Sequence, residues 1–301
     1  MKLNPSDISD NKKFWQNVKP FFSEKSAQSS RKIKLLENGV IHDDDATVAQ
    51  DFGKYFSSIV DNLDIQPYLG TENAGLTSTC DPILNAISKY DNHPSILKIR
   101  QHVGCNSSFS FSHVSVDTVR QEIFCLMNAK ASPITSIPPS IIKEHCDIFA
   151  KKIHIDFNAS ITEGIFPNNL KFADVSPIFK SGDTLLKSNY RPISILPAIS
   201  KIFERLYCRQ IEKYIEPFLS IFQCGFRKNF SAQNCILLLI EKWKKCLDNK
   251  GACGVLLTDL SKAFDCVRHD LLIAKLNAYG FSHCALKLIL SFLRIGFNEL
   301  E

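Results

Sequence analysis

Gly251-Ala252-Cys253-Gly254-Val255-Leu256-Leu257-Thr258-Asp259 is the stretch of sequence that decides the fold class. The run at 253–257 is apolar and short, a pattern typical of a strand that is buried on both faces. A turn precedes this run, and a turn into a helix follows it. An aspartate at the carboxyl end of such a strand lies where open α/β sheets place their sites. Asp259 is therefore the first candidate functional residue.

Upstream and downstream of this stretch, short strands and helices follow one another irregularly, which predicts a mixed α and β fold (α/β or α+β). Two strand candidates, Phe172–Phe179 and Arg191–Leu196, flank a polar loop that contains Ser181-Gly182-Asp183. Apolar residues at helical spacing predict most of the remaining elements. Helices are expected after Ser115, over 142–157, and at Ile199–Phe218, Ser231–Leu247, Asp270–Tyr279 and Ser282–Leu293.

The first hundred residues are less regular. Helical spacing of apolar residues appears in Asn11–Phe22 and again after Asp45, which is predicted to cap the second of these helices. Residues 66–92 show weak signals with interspersed Gly and Pro and are predicted to be a linker.

The composition indicates an ordinary folded chain. Its 301 residues are 45% hydrophobic, and 36 basic against 31 acidic residues give a net charge of +5, which permits a polyanionic partner without requiring one. No apolar run reaches the ~18 residues of a membrane span, and the N-terminus has no apolar leader. We therefore expect an intracellular protein, nuclear or cytoplasmic, that is not secreted and has no membrane partner. The eleven cysteines lack zinc-finger spacing and are predicted to be reduced thiols in or near the core.

Cations cluster around the predicted hairpin. Lys180, Lys187 and Arg191 flank its polar loop. An arginine can bind two phosphate oxygens at once and a lysine acts as a point charge, so such a tip can hold a polyphosphate. The alternative is a hairpin whose charges serve only its solubility.

Three further features carry possible chemistry. Gln223-Cys224-Gly225-Phe226-Arg227-Lys228 is a glycine turn with two cations, Arg227 and Lys228, that could follow a phosphate backbone or simply end a helix. An oxygen ligand such as Asp259 suits a hard cation such as Mg²⁺, although strand-end aspartates also cap helices. The pair His269-Asp270 begins a helix and is predicted to be structural.

In order along the chain, four motifs resemble the reverse transcriptase of non-LTR (jockey-like) retrotransposons. The resemblance covers about residues 109–293, and the segment before it resembles the connector that follows the endonuclease domain of such elements, here without that endonuclease. The motifs are Asp174-Val175-Ser176-Pro177-Ile178-Phe179-Lys180-Ser181-Gly182-Asp183, Asn189-Tyr190-Arg191-Pro192-Ile193-Ser194, Gln223-Cys224-Gly225-Phe226-Arg227 and Asp259-Leu260-Ser261-Lys262-Ala263-Phe264-Asp265.

The resemblance implies a partial right-hand polymerase fold, with a helical connector at 1–108, fingers at 109–250 and the start of the palm at 251–301. It implies RNA-directed DNA synthesis on an RNA template with a DNA primer. Lys180 and Arg191 would hold the triphosphate of the incoming dNTP. Asp259 and the backbone carbonyl of Leu260 would bind Mg²⁺. Phe264 would match the aromatic residue that closes the sugar pocket.

The sequence also departs from this family. The 301 residues contain no Phe/Tyr-Ala-Asp-Asp motif, and we expect a chain truncated within the palm that is inactive by itself. A single aspartate offsets only part of the charge of two Mg²⁺ ions. Without its usual neighbours, the strand at 253–257 would be exposed and prone to aggregation. The alternatives are a non-catalytic nucleic-acid-binding remnant and a host interaction module.

Overall fold

The structure is a computed structural model that describes residues 32–37, 39–58, 81–103, 107–127, 133, 136–260, 263–264 and 266–294. The chain divides into two compact units, and neither is continuous in sequence. The first contains Met1–Ser58 and Pro177–Pro192, and the second contains Ile59–Ser176 and Ile193–Glu301. The helix expected at Asn11–Phe22 lies outside the described residues.

The first unit begins with a small hairpin that the sequence analysis did not predict. Strand β1 (Leu35–Glu37) pairs antiparallel with β2 (Val40–His42), and helix α1 (Asp45–Ser57) follows. The N-cap of α1 is Asp44, whose carboxylate accepts a hydrogen bond from the Thr47 backbone N–H at 3.0 Å. The predicted cap, Asp45, was therefore wrong by one residue, because in a tandem of aspartates only the residue with extended backbone can cap.

Strands β3 (Asp174–Phe179) and β4 (Tyr190–Ile195) form a two-stranded sheet, which confirms both strands predicted there. The tip of this hairpin belongs to the first unit, where Tyr190 joins the buried residues Leu35, Val48 and Phe52. The rings of Phe52 and Tyr190 meet edge to face with centroids 5.0 Å apart. Two segments more than a hundred residues apart in sequence thus share one small core.

The second unit is mainly helical, and the helices expected from residue 198 onward are confirmed. The one expected over 142–157 is divided at His145, whose backbone leaves the helical region. The linker expected at 66–92 was wrong for its described part, which contains a helix. The helices are α2 (Pro82–Lys89), α3 (Pro94–Val103), α4 (Val116–Phe124), α5 (Pro139–Glu144), α6 (Cys146–Glu163), α7 (Ala198–Ile215), α8 (Ala232–Asp248), α9 (His269–Ala278) and α10 (His283–Leu293).

Aromatic side chains fill the centre of the second unit. Phe157 of α6 is fully buried, and its ring lies 4.5 Å from that of Tyr207 and 5.3 Å from that of Phe203, both on α7. Burial raises the pKa of Tyr207 to about 12, so its phenol stays neutral and hydrogen-bonds to Ser160. Such ring pairs add to the free energy of apolar burial and fix how the helices pack.

A close backbone contact joins Phe109, in the segment before α4, to the turn between α9 and α10. The Phe109 N–H donates to the Gly280 carbonyl at 2.8 Å, and the Ser282 N–H donates to the Phe109 carbonyl at 2.8 Å. Gly280 has φ +90°, and a Cβ at this position would lie 2.1 Å from the Ser107 carbonyl oxygen. Only glycine fits here, because any side chain would collide with backbone.

The prediction of a strand at 253–257 is wrong. Residues 251–260 have no regular secondary structure and are all exposed, with Leu256 and Leu257 at 88% and 86%. A strand needs a neighbour for its backbone hydrogen bonds, and no described strand pairs with this segment. The exposure differs from the burial that the apolar run predicts, and it agrees with the expectation that the segment lacks its usual strand neighbours.

Two expectations about the whole chain, on membrane spans and on cysteines, can be compared with the structure for the described residues. None of the helices there has both the length and the apolar character needed to cross a bilayer. The nine cysteines that are described are free thiols, as predicted. Cys146 is buried and three of the nine are partly buried, but five are exposed, so the expectation of positions in or near the core was wrong for these five.

Candidate functional site

The loop between β3 and β4 has a fixed conformation. The Lys180 N–H donates to the Asn189 carbonyl at 2.8 Å, and the Asn189 side-chain amide donates to the Asp183 carbonyl at 2.9 Å. The Asp183 carboxylate accepts from the Leu185 N–H at 2.9 Å, as an aspartate in an Asx turn does. Gly182 has φ +93°, and a Cβ there would lie 2.9 Å from the Asn189 amide nitrogen. The Ser-Gly-Asp sequence is thus a turn that depends on its glycine.

The N-terminal hairpin braces this loop. The Leu36 N–H donates to the Leu185 carbonyl at 2.9 Å, and the Lys187 ammonium lies 2.5 Å from the Glu37 carboxylate. Lys187 also lies 5.9 Å above the ring of Tyr55 on α1. Lys187 is therefore held by its own unit. The sequence did not indicate this, because a three-residue strand carries almost no periodic signal.

The other two hairpin cations differ from Lys187 in that they are exposed. Lys180 directly follows β3, and Arg191 is the second residue of β4. Neither forms an ion pair with another residue in the described ranges. Their charges are thus open to solvent, as a phosphate-binding pair requires.

Asp259 lies at the end of the exposed segment 251–260 in the second unit. Its predicted position, at the end of a buried strand, was wrong, but its carboxylate is open to solvent. With the carbonyl of Leu260 it offers two oxygen donors, which fits a Mg²⁺ ion that keeps several of its waters. Within the described residues, no three His, Cys, Asp or Glu side chains are grouped as metal ligands would be.

Phe264 is 79% exposed, and its ring meets that of Phe226 from the glycine-turn motif. The ring centroids lie 6.0 Å apart with an interplanar angle of 88°, an edge-to-face contact. Phe226 is itself 90% exposed. The second unit thus brings two of the four motifs together, a contact that no spacing in the sequence could indicate.

Arg227 and Lys228 differ in their surroundings, although both were predicted to contact nucleic acid. The Arg227 guanidinium bonds to the Glu216 carboxylate at 2.6 and 3.1 Å, and it also donates to the carbonyls of Ser220 and Gln223. Only 9% of its side chain is exposed. Lys228 is exposed. The structure gives Arg227 a set of protein partners, and Lys228 is the cation that a phosphate would reach first.

Asp270 is structural, as predicted. Its carboxylate accepts hydrogen bonds from the Tyr90 hydroxyl at 2.7 Å and from Lys89 and Arg268 at 3.1 and 3.0 Å. Burial by itself would raise the pKa of Asp270, but these three donors outweigh it and hold the pKa well below its usual value. The aspartate therefore ties α2 to α9.

Comparison with known proteins finds a family match in the second part of this sequence. Residues 178–301 match the family model described as "Reverse transcriptase (RNA-dependent DNA polymerase)". The matched range contains Lys180, Arg191, Asp259 and Phe264, together with the Phe226–Lys228 turn. This part of the chain is therefore similar to reverse transcriptases.

The relatives define the group within this class. The chain is 29% identical over 175 residues to "RNA-directed DNA polymerase from mobile element jockey" of Drosophila melanogaster. The aligned region covers 56% of this chain and 19% of that protein. Identity to two further proteins of the same fly is 32% over 124 residues and 35% over 120. The first is "Probable RNA-directed DNA polymerase from transposon BS", and its match covers 40% of this chain and 14% of that protein. The second is "Probable RNA-directed DNA polymerase from transposon X-element", and its match covers 39% of this chain and 13% of that protein.

These matches confirm the resemblance to the reverse transcriptases of jockey-like non-LTR retrotransposons. The chain spans less than a fifth of the length of each of these relatives.

Proposed function

We propose that this chain is part of an RNA-directed DNA polymerase that copies an RNA template from a DNA primer with dNTPs and Mg²⁺. One observation supports the proposal most directly. The side chains that the resemblance assigns to the reaction, Lys180, Arg191, Asp259 and Phe264, are all exposed to solvent. Burial in a core therefore explains none of them. In this proposal the connector, fingers and first palm segment are residues 1–108, 109–250 and 251–301.

Each of these residues has a role that its chemistry suits. Arg191 binds two oxygens of the triphosphate and Lys180 neutralises another, so that the nucleotide is oriented by charge. Asp259 and the Leu260 carbonyl would hold a divalent ion, which would neutralise phosphate charge and polarise the attacking hydroxyl. Phe264 packs against the sugar. Phosphoryl transfer depends mostly on such positioning and charge neutralisation.

Nucleotide binding by the 301-residue chain tests the proposal. We expect a fluorescent dNTP to bind in the presence of Mg²⁺ and to bind about 10-fold more weakly to Lys180→Ala and to Arg191→Ala, since each removes charge-assisted hydrogen bonds. Asp259→Ala is expected to remove the Mg²⁺-dependent part of the affinity. The matched control is Lys151→Ala, an exposed lysine on α6.

Equal affinity of Lys180→Ala, Arg191→Ala and Lys151→Ala for the nucleotide would overturn the proposal. Primer extension provides the second readout. The 301-residue chain is expected to extend a primer no more than its Asp259→Ala variant does, because one carboxylate cannot hold two ions. Incorporation that survives Asp259→Ala would show that the reaction does not depend on this residue.

A further inference from the structure

The β3–β4 hairpin has an aromatic face and a cationic face. Phe179 of β3 meets Tyr190 of β4 across the hairpin, with ring centroids 5.5 Å apart, and these two residues form the ring face. Lys180 directly follows Phe179, and Arg191 directly follows Tyr190. Because successive side chains of a strand project to opposite faces, Lys180 and Arg191 both lie on the other face, the cation face. Whatever holds the ring face in place therefore also sets where the cations point.

The register of the hairpin also brings the two cations close together. The Lys180 N–H donates to the Asn189 carbonyl at 2.8 Å, so the pairing continues through Lys180. Arg191 comes two residues after Asn189 and is thus the diagonal neighbour of Lys180 on the cation face. Diagonal neighbours are about 7–8 Å apart, within reach of long side chains, so that one triphosphate can contact both. A slip of one residue in either strand would turn one of the cations to the ring face.

The ring face is held by a part of the chain that lies before the family match. Tyr190 is 8% exposed, and its ring meets that of Phe52 on α1 edge to face at 5.0 Å. Leu35 and Val48 complete this small core, which belongs entirely to the first unit. The Tyr190 hydroxyl donates to the Thr184 carbonyl at 2.8 Å and ties the same ring to the loop. The family match begins at residue 178, so the residues that bury Tyr190 come from outside it.

An ion pair holds the loop between the two strands at a second point. The Lys187 ammonium lies 2.5 Å from the Glu37 carboxylate, and the two side chains are only 20% and 33% exposed. The Leu36 N–H donates to the Leu185 carbonyl at 2.9 Å close to this pair. Salt screens such a partly buried pair less than a fully exposed one. The ends of the loop are thus fixed by the hairpin and its middle by residues 35–37.

We propose that Glu37 and Phe52 are positioning residues for the nucleotide, which hold the hairpin so that both side chains of the cation face reach one triphosphate. Neither residue touches the nucleotide. Glu37 acts through Lys187, and Phe52 acts through Tyr190. Charges that are held in place before a ligand arrives bind it more tightly, because less conformational freedom is lost on binding. The inference rests on the proposed function and adds that the segment 33–56 contributes to dNTP affinity.

Titration of the 301-residue chain with a fluorescent dNTP and Mg²⁺ tests this role. Glu37→Gln should bind the dNTP about 3-fold more weakly, which corresponds to the loss of one ion pair. The sign is informative, because removal of a negative charge by itself would favour an anionic ligand. Lys187→Gln should show the same loss, and the double variant should lose no more than either single variant. Phe52→Leu keeps the core apolar, removes the ring contact and should weaken binding about 5-fold.

A nucleoside monophosphate with the same fluorophore provides the readout that a purely structural role would not give. One phosphate cannot contact both cations, so its affinity should be the same for the wild-type chain and for Glu37→Gln. The matched control is Asp43→Asn, which removes the same charge from an ion pair of the first unit, with Lys34 at 3.6 Å, that does not contact the hairpin. Asp43→Asn should bind the dNTP as the wild-type chain does.

Wild-type or tighter dNTP binding by Glu37→Gln would overturn the inference. An equal loss in Asp43→Asn, or an equal loss of monophosphate affinity in Glu37→Gln, would overturn it as well, because the effect would then not arise from the triphosphate contact. In each case the proposed function stands if Lys180→Ala and Arg191→Ala still weaken dNTP binding. If those two variants bind the dNTP normally, the proposed function fails and the inference fails with it.

Discussion

Two regions of the second unit are equally apolar in sequence and differ completely in burial. In the packed region, α6 places Ile153 and Phe157 against neighbouring helices, with exposures of 2% and 0%. In the open region, α8 has no buried residue, and the following segment 251–260 is exposed throughout. Leu237 of α8 is 65% exposed, and Trp243 is 37% exposed.

The difference shows that an apolar face is buried only when the molecule supplies a second face for it. The face of α6 is covered by α4, α7 and α10, all of which contribute residues to the main core. The open region has the same kind of face, and no described element covers it to a similar degree. Apolar residues thus contribute differently to stability in the two regions, and substitutions can measure the difference.

The largest expected effect comes from removing a core ring. Phe157→Ala should lower the free energy of unfolding by about 3–5 kcal/mol, because it leaves a cavity among tightly packed rings. Leu257→Ala in the open region should change it by less than about 0.5 kcal/mol. Urea unfolding followed by circular dichroism measures both, and similar losses in the two variants would contradict the comparison.

Glycine substitutions test the same difference between the packed and the open region at the level of the backbone. Gly280→Ala should destabilise the fold by about 2–4 kcal/mol, since it adds a Cβ in a left-handed conformation against the Ser107 carbonyl. Gly254 in the open region has nothing within 4 Å of an added Cβ. Gly254→Ala should therefore be close to neutral in the same unfolding measurement. A neutral Gly280→Ala would mean that the backbone contact of Phe109 with Gly280 and Ser282 is not part of the cooperative fold.

The smallest expected effect depends on pH and concerns the Asp270 carboxylate, whose hydrogen bonds tie α2 to α9. The folded-state pKa of Asp270 is depressed, so its contribution to stability is present above the unfolded-state pKa of about 4 and is lost as the pH falls further. Wild-type stability should therefore decrease more steeply below about pH 4 than that of Asp270→Asn. Unfolding curves at several pH values test this, and parallel curves for the two proteins would refute it.

The sequence predicted most of what depends on local periodicity and turn chemistry. Helices α7 to α10 and the β3–β4 hairpin follow from apolar spacing, and Gly182 marks the turn between the two strands. The strand at 253–257 was predicted from its composition, but a strand is stabilised by a neighbour, and the run of residues itself carries no information about whether a neighbour is present. Contacts between distant segments, such as Phe226 with Phe264, were equally beyond prediction.

The candidate site shows the same limit. Residue type and motif order indicated Lys180, Arg191 and Asp259, because charge and family resemblance are properties of the sequence. The separate roles of neighbouring cations were not predicted. Lys187 and Arg227 form ion pairs with Glu37 and Glu216, which the fold brings to them, whereas Lys180 and Lys228 are exposed.

The ion pair between Glu37 and Lys187 has a consequence for how related sequences evolve. The family match begins at residue 178, whereas the hairpin tip within it packs on residues 33–56. A recombination event with its junction between 58 and 177 would separate the hairpin from the segment that shapes it. Exchange of the hairpin between related sequences should therefore carry both segments together, and a change of charge at Glu37 should select for a compensating change at Lys187.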